Sequence, residues 1–130
     1  MQIDLRYGKG TTTLELRDEI AVTVVRKPTM PLVDDAATAV TEAFTQPVGV
    51  PGLKELAHGA NTACIAVCDI TRPVPNHLFL RPLIENLLAA GVPSDGITVL
   101  VATGLHRPNI GAELAELIGD SWVLENVTVV

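Results

Sequence analysis

The feature that most constrains this chain is a repeated change of period. "TACIAVC" (residues 62–68) and "GITVLVA" (96–102) are short runs that are apolar at almost every position. Between and after them lie "NHLFLRPLIENLLAAG" (76–91) and "IGAELAELIG" (110–119), which are long enough for helices, and a further apolar run, "NVTVV", follows at 126–130. Short continuous apolar runs alternating with helical stretches predict parallel strands joined by helical crossovers, with both faces of the sheet covered. The fold class expected is therefore α/β, a parallel-sheet, Rossmann-like three-layer domain. Upstream, "VDDAATAVTEAF" (33–44) opens with acids suited to a helix N-terminus, and "PGLKELAHG" (51–59) has Pro51 near its start and Gly59 placed to stop it.

Residues 1 to about 30 read differently. "QIDLRY", "TTTLELR" and "IAVTVVR" are three strand candidates broken by "YGKGT" and "RDE". They predict a short antiparallel appendage ahead of the helix–strand alternation of 33–130. "GKGTTT" (Gly8–Thr13) lacks the upstream glycine and the strand-to-helix context of a phosphate loop, so it reads as a hairpin turn. Pro82 inside the long helix implies either a helix that begins near Arg81 or a kink. In the last helix, Ile110, Leu114, Leu117 and Ile118 share a face, with Asn109 as N-cap and Gly119 as stop.

With 130 residues, 48% hydrophobic and 18% charged, the chain can bury a core, and its apolar runs are too short to span a bilayer. Aromatics are 3%, so that core is aliphatic. A formal net charge of −6 argues against nucleic acid or an anionic membrane as partner. Nothing at the N-terminus resembles a signal peptide. A soluble cytoplasmic protein is the expectation. The two cysteines, Cys64 and Cys68, fall on one face of a strand, too far apart to bridge, and are expected as reduced core thiols.

The chemistry gathers where two apolar runs end. The first runs into "CDITRPVPN" and the second into "TGLHRPN". In open parallel sheets ligands bind beyond the carboxyl ends of the strands, so Asp69, Thr71 and Arg72 on one loop and Thr103, Gly104, His106 and Arg107 on the next are expected around one crevice. Arg72 offers a fork for a carboxylate or phosphate, Asp69 would orient it or bind a ligand hydroxyl, and Pro73 and Pro75 stiffen the loop. The bland alternative is a surface Arg72 paired with Asp69. His106 lies just before a predicted helix whose dipole would favour neutral imidazole, the form of a general base. His58 and His77 read as structural, and no histidine or cysteine pair has metal-ligand spacing.

"YGKGT", "QPVGVPGLKELA", "DITRPVPNHLFLRPLIENLLAAGVP" and "ATGLHRP", in that order, resemble the N-terminal portion of the nickel-dependent lactate racemase family. The resemblance implies racemisation or epimerisation of a 2-hydroxy acid with a nickel-pincer nucleotide that accepts the Cα hydride and returns it to either face. It implies that Asp69, Ile70, Thr71 and Arg72 contact the cofactor, that Arg72 also binds the substrate carboxylate, and that His106 is one of two general acid/base histidines. The family's second histidine, its cofactor-bearing lysine and its nickel-ligating histidine have no counterpart here, where Lys9, Lys27 and Lys54 all precede the site motifs. With the apolar "NVTVV" at its end, the chain is therefore expected to be part of a longer enzyme, to hold no metal alone, to be inactive alone, and to fold by itself or self-associate as a homo-oligomer through an exposed sheet edge. A non-catalytic anion- or nucleotide-binding module and an assembly domain are the alternative readings.

Overall fold

The computed structural model describes residues 1–130. They form two compact units, residues 1–32 and 33–130. In the first, β1 (Gln2–Tyr7) and β2 (Gly10–Glu15) pair antiparallel with Tyr7 opposite Gly10, so "YGKG" is a hairpin turn. The third strand candidate, "IAVTVVR", forms no strand, and its Val25 is 91% exposed. Its apolar residues meet no partner ladder, and β-propensity has no effect without one.

The second unit is the α/β domain. Helix α1 (Ala36–Thr45) is capped by Asp35, whose carboxylate accepts the Ala37 and Thr38 N–H groups. A single turn, α2 (Leu53–Leu56), follows. Then come β3 (Ala63–Cys68), α3 (Asn76–Ala89), β4 (Ile97–Ala102), α4 (Ala112–Ile118), α5 (Ser121–Asn126) and β5 (Thr128–Val129). The sheet is parallel in the order β3-β4-β5.

That order explains which face is covered. Right-handed crossovers that step across a sheet in one direction place their helices on the same side. Ile97, Val99 and Val101 of β4 and Val67 of β3 are buried beneath Leu80, Ile84 and Leu87 of α3 and Leu117, Ile118 and Val123 of α4 and α5. Leu80, Ile84 and Leu87, spaced four and three apart, form the buried stripe of α3. Truncating Ile84, which is fully buried, to alanine costs about 2–5 kcal/mol.

The opposite face of the sheet presents Cys64, Ala66, Cys68, Leu100 and Ala102, all exposed. The two cysteines are thus free and exposed, not core thiols. A run apolar at every position does not reveal which of its faces is covered within this chain, and helices cover only one.

Three local readings also change. Helix α3 runs continuously through Pro82, so it does not begin near Arg81. The last predicted helix stops at Gly119 as expected, but an unpredicted one follows it: Asp120 caps α5 by accepting the Trp122 N–H at 2.9 Å. Gly119 adopts φ 71°, and a Cβ there would lie 2.9 Å from the His77 Cβ, so this position demands glycine twice over. Helix α4 begins only at Ala112, with Gly111 rather than Asn109 as its cap, which leaves Ile110 72% exposed instead of on the core face.

Candidate active site

Cys68 lies opposite Ala102 in the β3–β4 register. The residues that follow, Asp69 and Thr103, therefore leave the sheet side by side at one edge, and the two polar loops face each other. They enclose a cleft of about 370 Å³ lined by Asp69, Arg72, Thr103, Gly104 and His106, with Cys68, Ala102 and Leu105 completing it. The structure thus brings Asp69, Arg72 and His106 together. Ile70 and Thr71 do not line the cleft: the Ile70 side chain packs against the core, and Thr71 turns back on Asp69.

The two oxygens of Asp69 have separate partners. Oδ1 accepts the Thr71 Oγ1–H at 2.6 Å and the Thr71 N–H at 3.2 Å, an Asx-type turn that the "DIT" spacing makes possible. Oδ2 is hydrogen-bonded to His106 Nδ1. The Asp69 side chain is 5% exposed, whereas His106 is 51% exposed. The Thr71 hydroxyl first, and His106 second, hold the Asp69 carboxyl below the ordinary carboxylate range, outweighing its desolvation. Asp69 is therefore ionised at neutral pH and acts only as an acceptor. Its partner Nδ1 must carry the proton, so in neutral imidazole Nε2 is left with a free lone pair.

Arg72 stands differently. It is exposed, and its backbone N–H closes the turn onto the Asp69 carbonyl at 3.1 Å. Its guanidinium is not paired with Asp69, whose oxygens belong to Thr71 and His106. The cleft therefore contains a cation with no carboxylate neutralising it.

Behind the cleft lies a second cluster, centred on Glu113 in the first turn of α4. Its carboxylate takes a two-pronged contact from Arg107, Nη1 to Oε2 at 2.5 Å and Nη2 to Oε1 at 2.6 Å. It also accepts Asn109 Nδ2–H at 2.9 Å. Arg107 chiefly, with Asn109 next, holds the Glu113 pKa at about 2, while the nearby Asp69 charge pushes it the other way. Asn109 is buried, and its Oδ1 accepts the Ile70 N–H at 3.3 Å. So Asn109 bridges the two loops instead of capping a helix, and the group in contact with His106 is Asp69 rather than a helix N-terminus. Glu113 went unread in the sequence. Its pairing with Arg107 spans six residues across a bend, a spacing with no regular-structure signature.

The remaining histidines lie elsewhere. His58 lines a groove between α1, α2 and α3, and His77 packs on Gly119. No group of three or more histidine, cysteine, aspartate or glutamate side chains is placed to hold a metal ion. No helix is long and apolar enough to cross a membrane.

A family model for the lactate racemase N-terminal domain matches residues 7–130. The chain belongs to that family. The lactate racemase of Lactiplantibacillus plantarum is 35% identical over 130 residues, covering 93% of this chain and 29% of that protein. The lactate racemase of Thermoanaerobacterium thermosaccharolyticum is 29% identical over 123 residues, again covering 93% of this chain and 29% of the relative. The solved structure of the lactate racemase apoprotein from the latter organism superposes with a TM-score of 0.76 at 28% identity, covering 100% of this chain and 30% of that one. The chain thus spans under a third of the length of the lactate racemases it matches, and the lactate racemase N-terminal domain it carries is α/β with a parallel sheet, as its sequence pattern predicts.

Proposed function

We infer that this chain supplies the substrate anchor and one proton-transfer group of a lactate-type 2-hydroxy acid racemase. The observation that carries the reading is the Asp69–His106 pair facing an unneutralised Arg72 across one cleft at the carboxyl edge of adjacent parallel strands. Family membership supports the reaction class.

Each residue has a separable task. The Arg72 guanidinium grips the substrate carboxylate with two N–H donors, which fixes where Cα and its hydroxyl sit. His106 Nε2 accepts the hydroxyl proton as the hydride leaves Cα, because loss of the hydride alone would leave a protonated ketone. Asp69 holds the ring in the tautomer with Nε2 free and stabilises the imidazolium that forms. When the proton returns, the same nitrogen delivers it. A base for the opposite face of Cα, needed for the other enantiomer, would come from outside this chain.

The cofactor implied by the family resemblance is a nickel-pincer nucleotide. Its anionic nucleotide portion fits a cleft that holds an uncommitted guanidinium and Gly104, which has φ 58° and nothing within 4 Å of where its Cβ would be. Asp69 and Arg72 would face it. The donor set here does not suit the metal, since no three-ligand group exists in the chain, so nickel and the covalent anchor would be held by other parts of the protein. When bound, the group supplies a carbon acceptor for the Cα hydride.

The test is racemisation of L-lactate by the full-length, nickel-loaded enzyme and its His106→Ala variant, read by chiral chromatography. Racemisation by the wild type and its collapse in the variant support the reading. Undiminished racemisation by the variant overturns it. Lactate binding without turnover by the wild type would make this a non-catalytic anion-binding module instead.

A further inference from the structure

Asp69 and His106 come from different loops, 37 residues apart in sequence. Their hydrogen bond requires the loops to keep a fixed separation. Beside that bond, the one hydrogen bond of Asn109 that spans them goes to the first loop, and its other partner fixes it to the second. Its Oδ1 takes the N–H of Ile70, the residue directly after Asp69, while its Nδ2 donates to Glu113. Glu113 in turn clamps Arg107, the residue directly after His106. One buried amide and one carboxylate thus hold the neighbours of both members of the pair. An asparagine is suited to this, because it carries an acceptor and a donor on one rigid plane. Neither Asn109 nor Glu113 lines the cleft.

We propose that Asn109 and Glu113 are positioning residues, a brace between the two loops that sets the Asp69–His106 geometry on which proton transfer depends. The inference rests on the role proposed above for His106, but the geometry it concerns can be read without turnover. A brace acts on the placement of the base and not on the substrate anchor, so its loss lowers kcat and leaves KM near its starting value. Small misplacements of a proton-transfer group cost about tenfold to hundredfold.

The experiment uses the full-length enzyme and two readouts: lactate racemisation kinetics, and the downfield proton resonance of the His106 Nδ1–H bonded to Asp69. In Asn109→Ala we expect kcat to fall about tenfold or more with KM little changed, and the downfield resonance to broaden or vanish. Asn109→Asp sets two carboxylates against each other and should be as poor. The exchanged pair Asn109→Asp with Glu113→Gln restores a donor facing an acceptor and retains the acceptor for Ile70, but leaves one oxygen where Arg107 had two, so it should recover part of both signals relative to Asn109→Asp. A folded Asn109→Ala enzyme with unchanged kcat and resonance overturns the proposal, as does an exchanged pair that melts like wild type yet shows no recovery. If the wild type shows the resonance but does not racemise lactate, the functional reading fails, while the resonance in the variants still decides the brace.

Discussion

Two carboxylates sit close together at the end of this sheet and are used differently. Asp69 and Glu113 are both held ionised below the usual range, and both have two kinds of partner. Glu113 is paired with arginine, a cation that does not give up its proton at any physiological pH. The pair is permanent and can only hold things in place. Asp69 is paired with histidine, a half-exposed ring that lines a cleft and has a second nitrogen not used by the pair. That pair can pass a proton to something outside it. What separates chemistry from scaffolding here is thus the titration range of the partner, not the strength of the ion pair. The short Arg107–Glu113 contacts would attract attention first, yet they belong to the brace.

The distinction is broken most easily at His106. Replacing it with alanine in the full-length enzyme should lower kcat by about 10²–10⁴-fold, the usual worth of a placed acid or base, and a circular dichroism spectrum should be unaltered. A comparable loss from removing the Arg107–Glu113 pair alone would erase the difference between the two carboxylates.

Asp69→Asn should come next. The amide can still meet the ring but no longer dictates which nitrogen holds the proton; losing such a partner costs metal-bound histidines about 10–100-fold, and a loss of that order is expected here. The drop should appear in kcat, measured at saturating lactate. A rise in KM alone would instead place Asp69 against the substrate.

Arg72→Lys tests the other wall of the cleft. An ammonium offers one contact where the guanidinium offers a fork, so KM for lactate should rise about tenfold, the equivalent of one charge-assisted hydrogen bond. The melting temperature should stay within a degree or so of wild type, since Arg72 is exposed and pairs with no carboxylate in the fold. A large fall in melting temperature with KM unchanged would make it a structural residue.

The smallest effect concerns acid stability and sharpens the role of Glu113. Its pKa is about 2 in the fold against an ordinary 4.5, so the unfolded chain binds the proton first as pH falls. Its contribution to stability is complete above pH 4.5 and disappears as pH drops through about 2. Thermal unfolding of wild type and Glu113→Gln should therefore differ most at neutral pH and converge toward pH 2. A difference that persists unchanged into acid would show that the glutamine disturbs packing and not charge.

Much of this protein was written in local pattern. The apolar runs at 62–68 and 96–102 read as strands of a parallel sheet, and the polar residues that follow them then emerge at its carboxyl edge; Asp69, Arg72 and His106 were legible for that reason. The hairpin at "YGKG" and the stop at Gly119 were legible because glycine has a conformational freedom that other residues lack.

What remained hidden depends on pairs of positions far apart. Cys64 and Cys68 sit in a run that looks buried, and only the strand order, with its crossovers all on one side, leaves them exposed. "IAVTVVR" has the composition of a strand but meets no neighbour. Asn109 reads as a helix cap in one dimension; the helix starts three residues later, and the side chain spans two loops instead. Periodicity reports which side chains want to be buried. It carries no information on which carboxylate a histidine will meet across 37 residues, because that hydrogen bond exists only once parallel pairing has set Cys68 beside Ala102.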